Sequence, residues 1–284
     1  MQPKYPIFIP SKGRWESRLT MKALDRMGVS YTVVVEPQER DQYVKAIGAD
    51  RLLVTPHRDK GLTVTRNWIW DYARDLGAPR FWTMDDNLQQ FYRLNNNTKI
   101  KIQTGSFLCA MEDFTDRYIN VPVSGMHYEQ FIQRRVRQPP FMLNRRVYSN
   151  MLIQTDFRDP RGKPYRNECF YNDDTDLCLR ILKDGNCTIL FNAFLVWKSL
   201  TMMIKGGNTP VYQGDGRWKM AEELRRKHPD VTKIVRKWGR WQHQVDYRPF
   251  RNNRLIRRPD IEIPEGVDNY GMTLEQAPAI VEVG

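Results

Sequence analysis

Short apolar strands and amphipathic helices alternate along the first ninety residues, and this order constrains the fold more than any other feature. We predict strands at residues 6–10, 31–35, 51–54 and 81–84, and helices between them at residues 16–27, 40–47 and 61–76. Such alternation is typical of parallel strands joined by crossover helices. The chain is therefore predicted to be an α/β protein, with its ligand beyond the carboxyl ends of the strands.

The strand at 81–84 ends in Asp85-Asp86-Asn87. Crowded carboxylates repel each other, and a cation usually offsets them, most often a divalent metal that can also hold a diphosphate. The alternative is a loop in which these residues only form turns. Ligands of such sheets bind beyond the carboxyl ends of the strands, which we call the strand-end rule. By this rule we expect the turn at 11–14, Glu36 and the helix start at Arg66-Asn67 to lie in the same crevice as these acids.

Two helix starts carry polar groups suited to a ligand. The segment 61–67 opens a helix whose free N–H groups favour an anion, and Arg66 adds a bidentate donor; the alternative is an ordinary surface arginine. At 172–176, three acids begin a helix predicted over 174–183. Capping needs one acid, so another is available as a general base.

Composition excludes several classes of protein. Among 284 residues, 40% are hydrophobic, enough for a real core in one large domain or two small ones, and no apolar run has membrane-spanning length. The N-terminus lacks the apolar stretch of a signal peptide. Four cysteines without CxxC spacing indicate neither a zinc site nor a disulfide framework, and a reducing cytoplasm is expected.

Positive charge is concentrated late in the chain. The net charge is +12; residues 214–258 hold 14 Lys or Arg against 5 acids, and six acids with no base follow from 259 onward. Interleaved tryptophans make this pattern typical of a nucleic-acid surface, although basic residues also solvate ordinary helix faces. In the second half we predict helices at 112–118, 126–134, 221–228 and 231–238, a strand-rich stretch at 142–153, and strands at 189–191 and 194–197.

The motifs, in their order along the chain, resemble GT-A nucleotide-sugar glycosyltransferases. The segment 61–67, the strand ending in Asp85-Asp86-Asn87, and Asp173-Asp174 with the helix that follows carry this resemblance. The turn at 9–14, Glu36-Pro37 and the segment 205–208 look like the TET-associated glycosyltransferases, phage enzymes that decorate hydroxymethylated bases in DNA. The resemblance spans about residues 5–255 and implies a GT-A, Rossmann-like mixed sheet with crossover helices and a basic, partly helical C-terminal extension.

The resemblance also implies roles for individual residues. Asp174, paired with Asp173, would be the catalytic base, and Asp86 with Asn87 would hold Mn²⁺ or Mg²⁺. Donor-nucleotide contacts would come from Pro10, Ser11, Lys12, Arg14, Glu36, Arg66, Asn67 and Asp85. Many GT-A enzymes have a metal-binding His where this chain has Lys198, which can neutralise a phosphate instead; Lys205 is a second candidate for the diphosphate. DNA contacts are expected from Arg134, Arg135, Arg137, Arg145, Arg146, Arg225, Arg226, Lys237, Arg240 and His243.

We therefore expect a glycosyltransferase that moves a sugar from a UDP-sugar, such as UDP-glucose, to 5-hydroxymethylcytosine in DNA, with metal assistance and inversion. The alternatives are a protein or glycan acceptor, a sugar nucleotidyltransferase, and a non-catalytic DNA-binding module. The catalytic domain is expected at 1–213, with its donor part at 1–94 and its acceptor part at 95–213. A DNA-contacting basic helical segment at 214–258 and an acidic tail at 259–284 follow. The expected location is the cytoplasm of an infected bacterium, without membrane attachment.

Overall fold

A mixed ten-stranded sheet organises the protein. The structure, a computed structural model, describes residues 1–133, 138–199 and 214–261. The sheet order is β3-β2-β1-β4-β9-β7-β10-β5-β6, with β8 paired to β10. The strands are β1 Ile7–Pro10, β2 Thr32–Val35, β3 Leu52–Val54, β4 Arg80–Met84, β5 Leu88–Asn95, β6 Thr98–Lys101, β7 Val123–Tyr128, β8 Phe141–Leu143, β9 Asn150–Gln154 and β10 Thr188–Lys198.

Helices cover both faces of this sheet. They are α1 Leu19–Arg26, α2 Arg40–Ile47, α3 Leu62–Asp75, α4 Ser106–Asp116 and α5 Asp173–Lys183. Along β1, Ile7 and Ile9 belong to a core cluster with residues of α1 and α4, whereas Phe8 belongs to a cluster with residues of α3 and α5. Because alternate side chains of a strand point to opposite faces, the sheet is buried between two helical layers. The predicted α/β class with crossover helices is thereby confirmed.

A smaller module follows at residues 216–250. It consists of α6 Gly216–Lys227 and an antiparallel hairpin, β11 Thr232–Lys237 and β12 Arg240–Val245. We call residues 232–245 the basic hairpin. The helix predicted at 231–238 is wrong, because the β-branched residues of this segment form cross-strand pairs, such as Ile234 opposite His243. The predicted acidic tail lies outside the described residues from 262 onward.

Two further predictions in the second half differ from the structure. The helix predicted at 126–134 is instead the end of β7 followed by a short 3₁₀ turn, Glu129–Phe131. The strands predicted at 189–191 and 194–197 form one strand, β10, whose pairing with β7 shifts register between Phe191 and Leu195. No helix in the described ranges is both long and apolar enough to cross a bilayer.

Gly125, in the middle of β7, permits a close approach between two chain segments. A Cβ atom at this position would lie 2.1 Å from the carbonyl oxygen of Asn150 and 2.5 Å from Cγ1 of Val147. The Asn150 side chain also accepts a hydrogen bond from the Met126 amide. The lack of a side chain at 125 therefore sets how closely the segment 147–150 lies against β7.

Candidate active site

Five strands end at the same edge of the sheet and deliver polar residues there. Strands β1, β2 and β4 are parallel to each other, and β7 and β10 run in the same direction because both β4 and β7 are antiparallel to β9. At or just after their carboxyl ends stand Ser11, Glu36, Asp85, Tyr128 and Lys198. The strand-end prediction for the first, second and fourth strands is thus confirmed.

Asp85 accepts hydrogen bonds on both carboxylate oxygens. Arg66 donates to Oδ1 at 2.8 Å, while Lys198 and the Ser149 hydroxyl each donate to Oδ2 at 2.7 Å. Burial acts to raise the pKa of Asp85, but Lys198 and Arg66 outweigh it and hold that pKa well below its usual range. Asp85 is therefore a fixed anion between two cations.

Arg66 joins two acidic segments that lie nineteen and more than one hundred residues away in sequence. Its Nη2 donates to Asp85, and its Nη1 donates to both oxygens of Asp173, at 2.8 and 2.7 Å. The Arg66 side chain is only 6% exposed. Both terminal nitrogens are thus bonded to carboxylates, which ties the start of α5 to the end of β4.

The two adjacent acids of α5 differ in their surroundings. Asp173 is buried, and burial raises its pKa above the ordinary value against the opposing charge of Arg66. Asp174 is half-buried, and its Oδ1 accepts hydrogen bonds from the Thr175 amide and hydroxyl. In the described part of the chain no hydrogen bond reaches Oδ2 of Asp174. Of the two predicted catalytic acids, Asp174 therefore has the oxygen available to a substrate.

Asp86, like Asp85, has partners on both carboxylate oxygens, and these partners come from the turn after β1. Its Oδ2 accepts a hydrogen bond from Ser11 at 2.6 Å, and its Oδ1 pairs with Arg14. Burial raises the pKa of Asp86, although Arg14 opposes the shift. Pro10 ends β1 opposite Val34, which places this turn at the strand-end edge. We call Ser11, Arg14, Arg66, Asp85, Asp86, Ser149, Asp173 and Lys198 the strand-end cluster.

The remaining predicted donor contacts divide into two groups. Lys12 and Glu36 pair at 2.7 Å at the same edge, and the Lys12 side chain is 43% exposed, so this pair can meet a ligand.

The Asn67 side chain faces the segment near residue 167. Its side-chain amide exchanges two hydrogen bonds of 2.9 Å with the backbone of Asn167. These bonds use one N–H and the oxygen of the amide and hold the segment near 167; the donor contact of Asn67 stays a prediction.

The described residues do not fit a divalent metal at the predicted position. Asp86 is paired with Arg14 and Ser11, and Asn87 is 6% exposed. The side-chain oxygen of Asn87 has no hydrogen-bond partner within the described chain, but Mg²⁺ and Mn²⁺ need several oxygen ligands. No group of three or more acidic, His or Cys residues suited to a metal occurs in the described ranges.

Arg146 connects the N-terminal end of α5 to the basic hairpin. Its guanidinium lies 4.4 Å from the centre of the Tyr148 ring, 3.3 Å from the Thr175 hydroxyl and 3.4 Å from Nε2 of His243. Because arginine only donates, Nε2 is the acceptor and the proton of neutral His243 is on Nδ1. Burial and Arg146 lower the pKa of His243 to about 4. Arg146 and His243 thus lie inside this junction, where the sequence had suggested DNA contacts.

The helix α6 fixes the module beside α5. Leu224, Val231 and Phe250 pack with Leu179 and Leu182 of α5. Hydrogen bonds reinforce the contact: the Glu223 carboxylate accepts from the Phe170 and Tyr171 amides, and Asn172 donates to the Met220 carbonyl at 2.8 Å. The basic hairpin is therefore held near the N-terminus of α5, which carries Asp174.

The far end of the basic hairpin is exposed, cationic and aromatic. Trp238 is 86% exposed and forms the two-residue turn with Gly239; both have positive φ, 50° and 72°. A left-handed conformation is costly for a bulky residue, so tryptophan is unusual at this position. Exposed Lys237 and Arg240 face each other across the turn.

The other predicted DNA contacts are placed as follows. Arg225 and Arg226 are exposed on α6, where Arg225 pairs with Glu222 at 2.9 Å. The Arg145 guanidinium lies 5.5 Å from the centre of the Tyr247 ring. Arg134, Arg135, Arg137 and Lys205 lie outside the described residues.

Sequence reasoning missed Tyr128 and Ser149. The Ser149 hydroxyl donates its one proton to Asp85, so it accepts hydrogen bonds from Lys198 and from the Tyr128 hydroxyl. The strand-end rule would have found Tyr128 had β7 been recognised as a strand. Ser149 adopts a left-handed conformation, with φ 64°, just before β9, and no residue pattern indicated it.

Comparisons with known proteins identify a family for this chain. A profile of the TET-associated glycosyltransferase family matches residues 5–207, most of the chain. Curated protein sequences give no match. Among solved structures, one described as "GalNAc-T7 with UDP, GalNAc and Mn2+" superposes with a TM-score of 0.49 and 10% identity, covering 79% of this chain and 48% of that one. The present chain thus spans about half the length of that protein.

The extent of the profile match decides the family. It begins before β1 and continues past Lys198, and therefore includes every residue of the strand-end cluster together with Asp174. The module at 216–250 lies beyond it. The chain therefore belongs to the TET-associated glycosyltransferase family, as the sequence predicted.

Proposed function

We propose that the protein transfers a sugar from a UDP-sugar to the hydroxyl of a 5-hydroxymethylated base in DNA. The observation that carries the proposal is the position of the basic hairpin: His243 on β12 is linked through Arg146 to Thr175, so an acceptor bound along the hairpin lies near Asp174. Family membership supports the donor class and the modified base. The reaction belongs in the cytoplasm of an infected bacterium, where phage DNA is replicated.

In the proposed reaction, Asp174 acts as the base. Its Oδ2 takes the proton of the acceptor hydroxyl, whose oxygen attacks the anomeric carbon of the sugar. The bond from that carbon to the diphosphate breaks, and UDP leaves with the electron pair. A single in-line displacement inverts the configuration at the anomeric carbon. Asp173 does not compete for the proton, because Arg66 holds both of its oxygens.

The acceptor side is suited to a polyanion. Lys237 and Arg240 place two exposed cations beside Trp238, and phosphate contacts of this kind supply most non-specific affinity for DNA. A 5-hydroxymethyl group projects into the major groove, but a base that must enter a crevice has to leave the stack. An exposed tryptophan at a hairpin tip can fill the gap that such a base leaves.

The test is transfer onto defined DNA. Duplexes containing 5-hydroxymethylcytosine, 5-hydroxymethyluracil or unmodified bases are incubated with the protein and each of several UDP-sugars, and the digested nucleosides are analysed by mass spectrometry. A mass gain of one sugar on a hydroxymethylated nucleoside only is the expected result. UDP release without any gain on DNA would move the acceptor to a protein or glycan. Absence of UDP release with every donor would contradict the proposal.

A further inference from the structure

The charge pattern of the strand-end cluster differs from that of a metal site. Three carboxylates, Asp85, Asp86 and Asp173, are paired with three cations, Arg14, Arg66 and Lys198, through hydrogen bonds within the protein. These charges balance without any added ion. A divalent cation bound to the same oxygens would have to displace bonded cations and would be repelled by those that remain.

Lys198 occupies the centre of this arrangement. Its ammonium donates to Asp85 Oδ2 and Ser149 Oγ, each at 2.7 Å, and lies 5.7 Å from the centre of the Tyr128 ring. Two of its N–H bonds are thus directed at Asp85 and Ser149, and the Tyr128 side chain lies beside the ammonium. The side chain is 18% exposed, so a ligand can reach it.

A local irregularity of the sheet directs Lys198 to this place. Where β10 pairs with β5, Trp197 lies opposite Gln90 but Lys198 lies opposite Leu88, so the register slips at the last residue of the strand. Irregularities of this kind re-aim side chains next to active sites. The adjacent Trp197 is 43% exposed, whereas Lys198 points into the cluster.

We infer that Lys198 takes the place of a divalent metal, so that sugar transfer proceeds without one. The inference rests on the proposed function and concerns the same site. The positive charge of the ammonium, held in place by Asp85 and Ser149, offsets the negative charge that grows on UDP as the sugar leaves. A lysine acts here as a point charge on phosphate, which is one of its common roles in proteins.

The first experiment separates metal from lysine in the intact protein. Protein, UDP-sugars and hydroxymethylated DNA are freed of metal with EDTA, and turnover is compared with parallel reactions containing Mn²⁺ or Mg²⁺. Binding of UDP is measured calorimetrically under the same conditions. Turnover and UDP affinity within about two-fold of each other across all conditions is the expected result.

Variants of Lys198 supply the second arm. Lys198→Met, which keeps the length and removes the charge, should lower kcat by about 100-fold or more, the scale seen when one preorganised charge-stabilising group is removed. Lys198→Arg should retain a substantial part of the activity. Lys163→Met is the matched control, because Lys163 is an exposed lysine outside the site, with a side chain that is 72% exposed.

The outcomes distinguish the role inferred for Lys198 from the proposed function of the protein. Turnover that stops with EDTA and returns with Mn²⁺, or UDP affinity that rises at least ten-fold with Mn²⁺, would overturn the inference and leave the glycosyltransferase assignment intact. If no donor and acceptor pair turns over, the proposed function fails, and the calorimetric arm still decides whether the nucleotide site depends on a metal. Equal activity of Lys198→Met and Lys163→Met would also overturn the role of the ammonium.

Discussion

The strand-end cluster and the basic hairpin carry their charges in opposite ways. In the cluster, Arg66 and Asp85 are 6% and 19% exposed and are bonded to each other. At the tip of the hairpin, Lys237 and Arg240 are exposed and lie next to like charge. Buried, compensated charges fix positions because moving any of them leaves another unpaired. Exposed, uncompensated charges attract a polyanion from a distance and tolerate variation in how it lies. The difference fits the proposed division into a rigid donor site and an adaptable acceptor surface.

The strongest way to sharpen this comparison is Asp174→Asn. Removing a general base is expected to lower kcat by 10²–10⁴-fold, whereas affinity for DNA should change little because the basic hairpin is intact. Turnover and electrophoretic DNA binding are measured on the same preparation. Asp75→Asn, an exposed acid at the end of α3, is the control. A kcat within three-fold of the parent would exclude Asp174 as the base.

Arg66→Met tests whether the cluster depends on internal pairing. The change leaves Asp85 and Asp173 without their shared partner, and breaking a buried ion pair on one side typically costs about 3–5 kcal/mol in the free energy of unfolding. Urea unfolding measures this loss. Arg74→Met, which removes an exposed arginine on the same helix, should cost much less. A similar loss in both variants would contradict the linking role of Arg66.

Neutralising the hairpin tip should affect DNA rather than chemistry. In the double variant Lys237→Gln and Arg240→Gln, the dependence of DNA affinity on salt should fall by roughly two ions, with affinity reduced about ten-fold near 0.1 M salt. UDP release with saturating DNA should be nearly unchanged. Arg158→Gln with Lys163→Gln is the charge-matched control, since both side chains are exposed. An unchanged salt slope would remove the tip from the DNA-binding surface.

Trp238→Ala tests whether the hairpin tip helps to displace the modified base as well as to attract DNA. Since the side chain is almost fully exposed, and alanine keeps the Cβ atom that makes positive φ costly, the change should leave folding stability nearly unchanged. We expect the KM for duplex DNA to rise several-fold, and less so for a duplex in which the modified base is already mismatched. Steady-state kinetics on the two duplexes checks this. An equal effect on both would argue against a role in displacing the base.

The smallest expected effect concerns the pH dependence of the hairpin junction. The unfolded chain protonates His243 near pH 6.5, whereas the folded protein does so only near 4. The stability of this junction is therefore fully present above about pH 6.5 and is lost as pH falls toward 4. His243→Gln should flatten this part of the curve of unfolding free energy against pH. Parallel curves for the parent and the variant would show that His243 does not titrate in this way.

The sequence predicted the first half of the fold far better than the second. Alternating strands and helices through residue 84 carry clear periodicity, and the strand-end rule then brought Ser11, Glu36 and Asp85 together. The segment 231–238 was predicted as a helix, because its Lys and Arg residues recur at spacings that also suit a helix face. The partners of Lys198 could not be predicted, since they depend on a register slip in β10 and on a left-handed serine.

Gly125 limits how this enzyme can be altered. It is not a ligand-binding residue, yet the space it leaves allows the chain around Asn150 to lie against β7, and Ser149 immediately precedes that residue. Any side chain at 125 would push outward the one hydroxyl that links Asp85 to Lys198 and Tyr128. A mutational screen for new sugar or base preference should therefore tolerate changes at the exposed hairpin but lose active clones at position 125, where a side chain would displace the segment that carries Ser149.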